Sequence, residues 1–92
     1  MTASRMKVSI IVPAYNEENG IGAVLRRLIK VCQNMPSSEI IVVDDGSTDH
    51  TSKKVSGFNP VRLIMHHRNI GKGAAVSTGL KNSKGDVIVI QD

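Results

Sequence analysis

Aromatic side chains are almost absent from this chain. Tyr15 and Phe58 are the only two, and there is no tryptophan. Single-stranded nucleic acids are bound by stacking bases on several aromatic faces, so the composition argues against such a platform and no nucleic-acid partner is expected. The core must instead be built from Ile, Val, Leu, Ala and Met. Cysteine is just as scarce. A single Cys32 excludes an internal disulfide and suits a reducing compartment. Its place in an apolar helical stripe points to burial rather than catalysis. No apolar run approaches the roughly 18 residues of a membrane-spanning helix, and no apolar leader region follows Met1–Arg5. A cytoplasmic chain is therefore expected. Charge of one sign does not dominate: 12 Lys and Arg stand against 8 Asp and Glu, for a net charge of +4. The basic residues are scattered apart from Arg26-Arg27-Lys30 and Lys53-Lys54. Solvated helix faces account for both clusters, and contact with anionic lipid or phosphate is the alternative. At 92 residues the chain is one small domain, spanning 1–92 with an ordered core expected over 7–92. A domain of this size buries only roughly 60–65% of its unfolded surface, so its stability is marginal.

What the chain does have is a repeated pattern of apolar runs that end in polar residues. Lys7–Pro13 is β-branched and almost continuously apolar, as are Glu39–Val43 and Asp86–Ile90. Runs of this kind suit parallel strands covered on both faces. Val61–His66 reads as a further strand. Between them lie helical patterns over Glu18–Asn34, with Ile21, Val24, Leu25, Leu28, Ile29 and Cys32 on one face, over His50–Ser56, and over Gly73–Asn82, with Ala74, Ala75, Val76 and Leu80 near one face. Glu17 and Glu18 sit where the first helix dipole favours negative charge, and Lys30 lies near its end. Thr48 or Asp49 is placed to cap the second helix. Met35-Pro36-Ser37-Ser38 and Gly57-Phe58-Asn59-Pro60 are breakers. The order β-α-β-α-β-α-β with short connections predicts an α/β fold, a three-layer sandwich around a mainly parallel sheet with right-handed crossovers. The strand order does not follow from the pattern.

In open parallel sheets, ligands bind at the carboxyl ends of the strands. Three motifs fall there. Asp44-Asp45-Gly46-Ser47-Thr48-Asp49 offers carboxylates that can accept from a ribose hydroxyl or a base N–H, with Gly46 free to turn. A plain Asx turn and helix cap would explain one of those carboxylates but not three in six residues. Pro13-Ala14-Tyr15-Asn16-Glu17 closes the first strand. Tyr15 there has an apolar face and a polar tip suited to a nucleobase, and Glu17 is an acceptor. A core Tyr15 and a dipole-complementing Glu17 are the alternative. His66-His67-Arg68-Asn69-Ile70-Gly71-Lys72-Gly73 precedes a helix, where backbone amides can cradle phosphate. It only partly matches a dinucleotide fingerprint, because Val76 stands where the third glycine belongs, and it is not a P-loop. His66 and His67 read as a strand-end pair, one turned in and one out, rather than as metal ligands.

Taken in order, these motifs resemble the N-terminal part of family 2 glycosyltransferases. The matching stretches are VSIIVPAYNEE (Val8–Glu18), IIVVDDGSTDHT (Ile40–Thr51), NIGKGAAVSTGL (Asn69–Leu80) and GDVIVIQD (Gly85–Asp92). The chain is most similar to the polyprenyl-phosphate sugar transferases, such as the dolichyl-phosphate mannose synthases. The resemblance implies the nucleotide-sugar-binding half of a GT-A fold, Rossmann-like in type. It implies a nucleotide pocket lined by Pro13, Ala14, Tyr15 and Glu17, with Val43, Asp44 and Asp45 contacting base and ribose. Asn69, Lys72 and Gly73 would shape the pocket wall. Asp92 would be the first carboxylate of an Asp-x-Asp motif that binds Mg²⁺ or Mn²⁺. The implied partners are a UDP- or GDP-sugar and, for a full-length enzyme, a lipid-phosphate acceptor at the membrane surface.

Asp92 is also the last residue. The resemblance therefore implies that the second carboxylate, the acceptor site and the general base lie downstream. The isolated chain is expected to lack transferase activity. The apolar run Val87–Ile90 is expected to leave an open edge or face, and so to make the chain a homo-oligomer. Two other readings stand beside the transferase: a non-catalytic Rossmann-type nucleotide-binding or assembly module, and a small regulatory α/β domain that binds no nucleotide.

Overall fold

A computed structural model of the protein describes residues 6–35 and 37–92. Residues 1–5, where the expectation of no leader falls, and Pro36 of the first breaker cluster lie outside the described residues. The elements alternate as expected: β1 (Val8–Ala14), α1 (Ile21–Cys32), β2 (Ser38–Asp44), α2 (Thr51–Ser56), β3 (Val61–Met65), α3 (Lys72–Asn82) and β4 (Val87–Ile90). The strands form one sheet in the order β3-β2-β1-β4, with every pair parallel. The chain thus builds outward from β1 to β3 and then crosses back to place β4 on the other side of β1. That reversal makes the β1/β4 junction the topological switch point, where an open sheet of this kind leaves a crevice.

Alternation along the strands sorts the core into two halves. Ile10, Val12 and Ala14 of β1 and Ile40 and Val42 of β2 face α1 and α2, where they pack against Ile21, Leu25 and Val55. Ile41 and Val43 of β2 face α3 and pack against Ala75. Both sheet faces are therefore covered, and Ile11, Ile41, Val42 and Val43 are fully buried. β4 is a sheet edge whose Val89 and Ile90 are exposed. It is the surface that the expected self-association concerns.

Two local expectations need correction, and a third, the cap of α2, is met by Asp49 from one residue further out. α1 begins at Ile21, not Glu18, and its first turn carries no acidic residue. The amides of Glu17 and Glu18 donate instead to Thr51 Oγ1 (2.8 Å) and Asp49 Oδ2 (3.3 Å), which holds both residues out of the helix. The N-cap of α2 is His50, which makes no side-chain capping bond. Asp49, one residue earlier, accepts from the Thr51 amide at 2.9 Å and does the capping from outside. In α3 the buried residues are Ala75 and Gly79, whereas Leu80 is 46% exposed.

Gly79 explains that last difference. A Cβ at this position would lie 2.5 Å from Ile11 Cγ2, so α3 approaches the sheet more closely than any side chain allows. Ile11 is fully buried and β-branched, and its Cγ2 cannot swing aside. Gly79→Ala should gain about 1 kcal/mol of helix propensity and lose roughly 1–3 kcal/mol to overpacking. The expected net result is a lower denaturation midpoint in urea. A midpoint at or above that of the parent chain would show that α3 can lift off without loss.

Candidate functional site

The loops that leave the strands at their carboxyl ends are laced together before any side chain is left for a ligand. The Asp45 amide donates to the Ala14 carbonyl (2.8 Å), and the His66 amide donates to the Asp44 carbonyl (2.9 Å), so the ladder continues past β2. Asn16 takes a positive φ of 50°. In that conformation its amide donates to Ser47 Oγ (2.9 Å) and its side-chain oxygen accepts from the Thr48 amide (2.8 Å). Asp44 Oδ1 accepts from the Ser47 amide at 3.0 Å, closing an Asx turn. The Gln91 amide donates to the Ile11 carbonyl (2.8 Å), which carries Asp92 along the end of β1.

These connections frame a cleft of about 420 Å³, inside the size range of small-molecule sites. Pro13, Ala14, Tyr15 and Glu17 enter it from β1, Asp45 from β2, Asn69, Gly71 and Lys72 from the β3–α3 loop, Ala75 from α3 and Asp92 from β4. Of the residues singled out from the sequence, eight line this one cleft. Val43, Asp44 and Gly73 do not. Val43 is fully buried against Ala75 in the α3 half of the core. Asp44 is 3% exposed and holds the Ser47 turn, and Gly73 sits in the first turn of α3 with open space around it. Tyr15 is 44% exposed, so it is a surface face rather than a core residue.

Asp45 is the most constrained group at the cleft. Its side chain is 4% exposed. Oδ1 accepts from His66 Nδ1 (2.8 Å) and the Ile70 amide (3.0 Å), and Oδ2 accepts from the Gly71 amide (2.9 Å). Burial pushes this carboxyl up, but the bond from His66 and the two amides outweigh it and hold the carboxyl below the ordinary Asp range. Asp49 is likewise held low: desolvation raises it, and the Thr51 hydroxyl and amide and the Glu18 amide more than offset that. Asp92 is different. Its carboxylate is 74% exposed and forms an ion pair with Lys72 across the cleft mouth.

Among the described residues no group of three His, Cys, Asp or Glu side chains could hold a metal by itself. A single exposed carboxylate beside a cleft still fits the way Mg²⁺ or Mn²⁺ is used with phosphates, since such ions take one or two carboxylates plus substrate oxygens and water. A second cleft of about 350 Å³ lies at the opposite end of the sheet, lined by Ile29, Cys32, Gln33, Ser38, Glu39, Ile40 and Pro60. Its one carboxylate, Glu39, is already engaged by Ser9, Lys84 and Arg62.

The sequence did not reveal Asn16, Ser47, Thr48 and Thr51 as the ties between the first two loops, nor His66 as a partner of Asp45. A non-glycine residue with positive φ leaves little trace in sequence. The asparagines of the first loop and the Ser/Thr residues of the second were the available signal.

The fold and the cleft together define an open α/β domain with a cleft at its switch point. The family model described as "Glycosyl transferase family 2" matches residues 9–92, and the chain belongs to that family. It is 36% identical over 92 residues to the undecaprenyl-phosphate 4-deoxy-4-formamido-L-arabinose transferase of Proteus mirabilis, covering 94% of this chain and 28% of that protein. It is 39% identical over 90 residues to the dolichol-phosphate mannosyltransferase of Pyrococcus furiosus, covering 95% of this chain and 25% of that one. Among solved structures, S. aureus TarS 1–349 in complex with UDP superimposes with a TM-score of 0.86 at 34% identity, over 95% of this chain and 27% of that chain. The mannosyltransferase PcManGT from Pyrobaculum calidifontis, in complex with GDP-Man and Mn²⁺, gives 0.81 at 30% identity over 92% of this chain and 26% of that chain. The chain thus spans about a quarter of the length of the curated relatives it matches. The all-parallel sheet with helices on both faces is the Rossmann-like arrangement of these GT-A neighbours. Among the described residues no helix is long and apolar enough to cross a membrane.

Proposed function

We propose that the chain is the nucleotide-sugar donor-binding part of a glycosyltransferase that moves a hexose to a polyprenyl-phosphate or glycan acceptor. The observation that carries this reading is the convergence of four strand-end loops on one switch-point cleft. That cleft combines an aromatic face, hydrogen-bond acceptors and a lysine. Tyr15 lies along the nucleobase, and Glu17 and the free lone pair on Asp45 Oδ2 accept from ring N–H or ribose hydroxyl. Lys72 meets the diphosphate. Val43, Asp44 and Gly73 act from behind the lining, by packing the β2 end and shaping the turns. The bound UDP and GDP-mannose of the two solved neighbours support a nucleoside diphosphate ligand. The lipid phosphates in the names of the two curated relatives support a lipid-phosphate acceptor met at the membrane surface.

Three carboxylates and one lysine line the cleft, a balance that disfavours a bare diphosphate. A divalent cation resolves it. Asp92 would hold Mg²⁺ or Mn²⁺ together with phosphate oxygens, and the ion would neutralise the charge of the leaving diphosphate. Lys72, released from Asp92, is then free for the phosphates.

Calorimetric titration with UDP and GDP, with and without Mn²⁺, tests this. Weak binding that strengthens with metal is expected, and Tyr15→Ala should weaken it by about 1–3 kcal/mol, the worth of one stacked base. Binding indifferent to metal would favour a plain nucleotide-binding module. No response to either nucleotide would sink the donor reading.

A further inference from the structure

The Asp45 carboxylate has a second support that donor binding does not itself require. His66 is the first residue after β3, and its amide bond to the Asp44 carbonyl keeps it at the sheet end. Its side chain is 11% exposed, and both ring nitrogens are engaged. Nδ1 lies 2.8 Å from Asp45 Oδ1, and Nε2 lies 2.8 Å from Thr78 Oγ1 on α3. A carboxylate only accepts, so Nδ1 carries the proton and donates to Asp45. Nε2 then meets a hydroxyl, the one kind of partner that can either donate or accept. The result is a continuous run from Thr78 through His66 to Asp45, and on to the amides of Ile70 and Gly71.

That run ends in the cleft. Gly71 lines it directly, with Asn69 and Lys72 on either side. Gly71 has φ +106 and its carbonyl accepts the first bond of α3, from the Ala75 amide at 3.1 Å. The conformation of this wall therefore depends on where Asp45 points. The torsion that turns a carboxylate is broad and roughly two-fold, so rotamer preference alone does not hold it. The two amides belong to the loop being positioned, which leaves His66, at the end of β3 and bonded in turn to Thr78 of α3, as the only side chain among the described residues bonded to the carboxylate.

We propose that His66 is a positioning residue of the cleft: anchored by Thr78, it fixes the direction of the Asp45 carboxylate and through it the Asn69–Lys72 wall. The inference rests on the nucleotide reading of the cleft for its consequence, but its structural half is independent of any ligand. His66→Ala removes the bond to Asp45. His66→Asn offers an N–H close to the position of Nδ1, and Thr78→Val removes only the far anchor.

Amide hydrogen exchange in the ligand-free chain is the first readout. His66→Ala should speed exchange at Ile70 and Gly71 by tenfold or more while Val42 in β2 stays as slow as in the parent. Thr78→Val should give a smaller change at the same two amides, and His66→Asn should restore them to within a few-fold. Affinity for UDP in the presence of Mn²⁺ is the second readout. It should fall about tenfold in His66→Ala, the worth of one charge-assisted hydrogen bond, and recover in His66→Asn. Unchanged exchange at Ile70 and Gly71, no rescue by asparagine, or altered exchange with unaltered UDP affinity would each overturn the proposal. If His66→Ala does not fold, the contrast between His66→Asn and Thr78→Val decides it. If the parent chain does not bind UDP, the donor reading fails, and the exchange data alone judge whether His66 positions the wall.

Discussion

Alanine at Gly46 is expected to destabilise the chain by about 3 kcal/mol or more, lowering its melting temperature by roughly 12 °C or more at this size. Gly46 has φ +72. An L-residue in that region costs about 1–2 kcal/mol. Sterics make the larger contribution. A Cβ would lie 2.2 Å from the carbonyl carbon of Arg68 and 2.4 Å from the nitrogen of Asn69. Both are backbone atoms, so no side chain can swing away, and the whole β3–α3 loop must move. That loop supplies Asn69, Gly71 and Lys72 to the cleft, so UDP affinity should fall together with stability. Gly71→Ala is the control. Gly71 also has positive φ (+106), but nothing lies within 4 Å of its Cβ, so only the backbone strain remains. A thermal melt followed by circular dichroism checks both variants. Gly46→Ala melting within about 3 °C of the parent, under the same size scaling, would show that the loop shifts freely and carries no fixed wall.

The contrast between those two glycines marks how far the sequence could be read. The turn at Gly46 was legible, because a glycine directly after two carboxylates at a strand end calls for a tight reversal. Its contact with Arg68 and Asn69 was not, because it depends on β3 lying beside β2, and strand order is a tertiary fact. The same holds for the helices. The stripe Ile21, Leu25, Leu28 and Ile29 is local, and α1 was read correctly as a helix packed on the sheet. Its start was misplaced by three residues, because the partners of the Glu17 and Glu18 amides sit more than 30 positions away, at Thr51 and Asp49. Leu80 reads as lying on or near one apolar face of α3 with Ala74, Ala75 and Val76, but it is Gly79 that meets the sheet, where close approach to Ile11 leaves no room for a side chain.

At the cleft the family motifs name residue types but not their division of labour. Asp44 and Asp45 look interchangeable in sequence. In the fold they are consecutive residues at a strand end, so their side chains take opposite faces. Asp44 turns to the Ser47 amide, and Asp45 turns to His66 and the cleft. The pairing of His66 with Asp45 spans 21 positions, and a histidine pair at the end of a strand carries no mark of it.

Asparagine at Asp45 is expected to lower stability by about 2–3 kcal/mol, since the bonds it weakens are of the charge-assisted kind, and the melting temperature by roughly 10–20 °C. The substitution preserves shape and changes hydrogen-bond polarity. Asp45 faces donors on both oxygens: His66 Nδ1 and the Ile70 amide on Oδ1, and the Gly71 amide on Oδ2. Asparagine has one acceptor oxygen and one NH₂ group. With its oxygen towards His66 and Ile70, the NH₂ confronts the Gly71 amide. With the amide reversed, it confronts the Ile70 amide, and His66 must change tautomer as well. Either way a buried donor is left without an acceptor. The pH dependence gives a second, independent check. The native carboxyl of Asp45 is held below its ordinary value, so the unfolded chain binds the proton more readily. The stabilisation is therefore complete above the unfolded-state value near about 3.9, and is lost as the pH falls through the lower native value. The gap in melting temperature between the parent and Asp45→Asn should be constant from about pH 6 to pH 8 and should narrow as the pH drops below about 4, where Asp45 of the unfolded parent chain begins to take up its proton while the folded carboxylate does not. A gap that stays constant down to about pH 3 would mean that Asp45 is not the titrating group. A variant as stable as the parent at neutral pH would show that the Ile70 and Gly71 amides find other acceptors and that the wall of the cleft does not depend on Asp45.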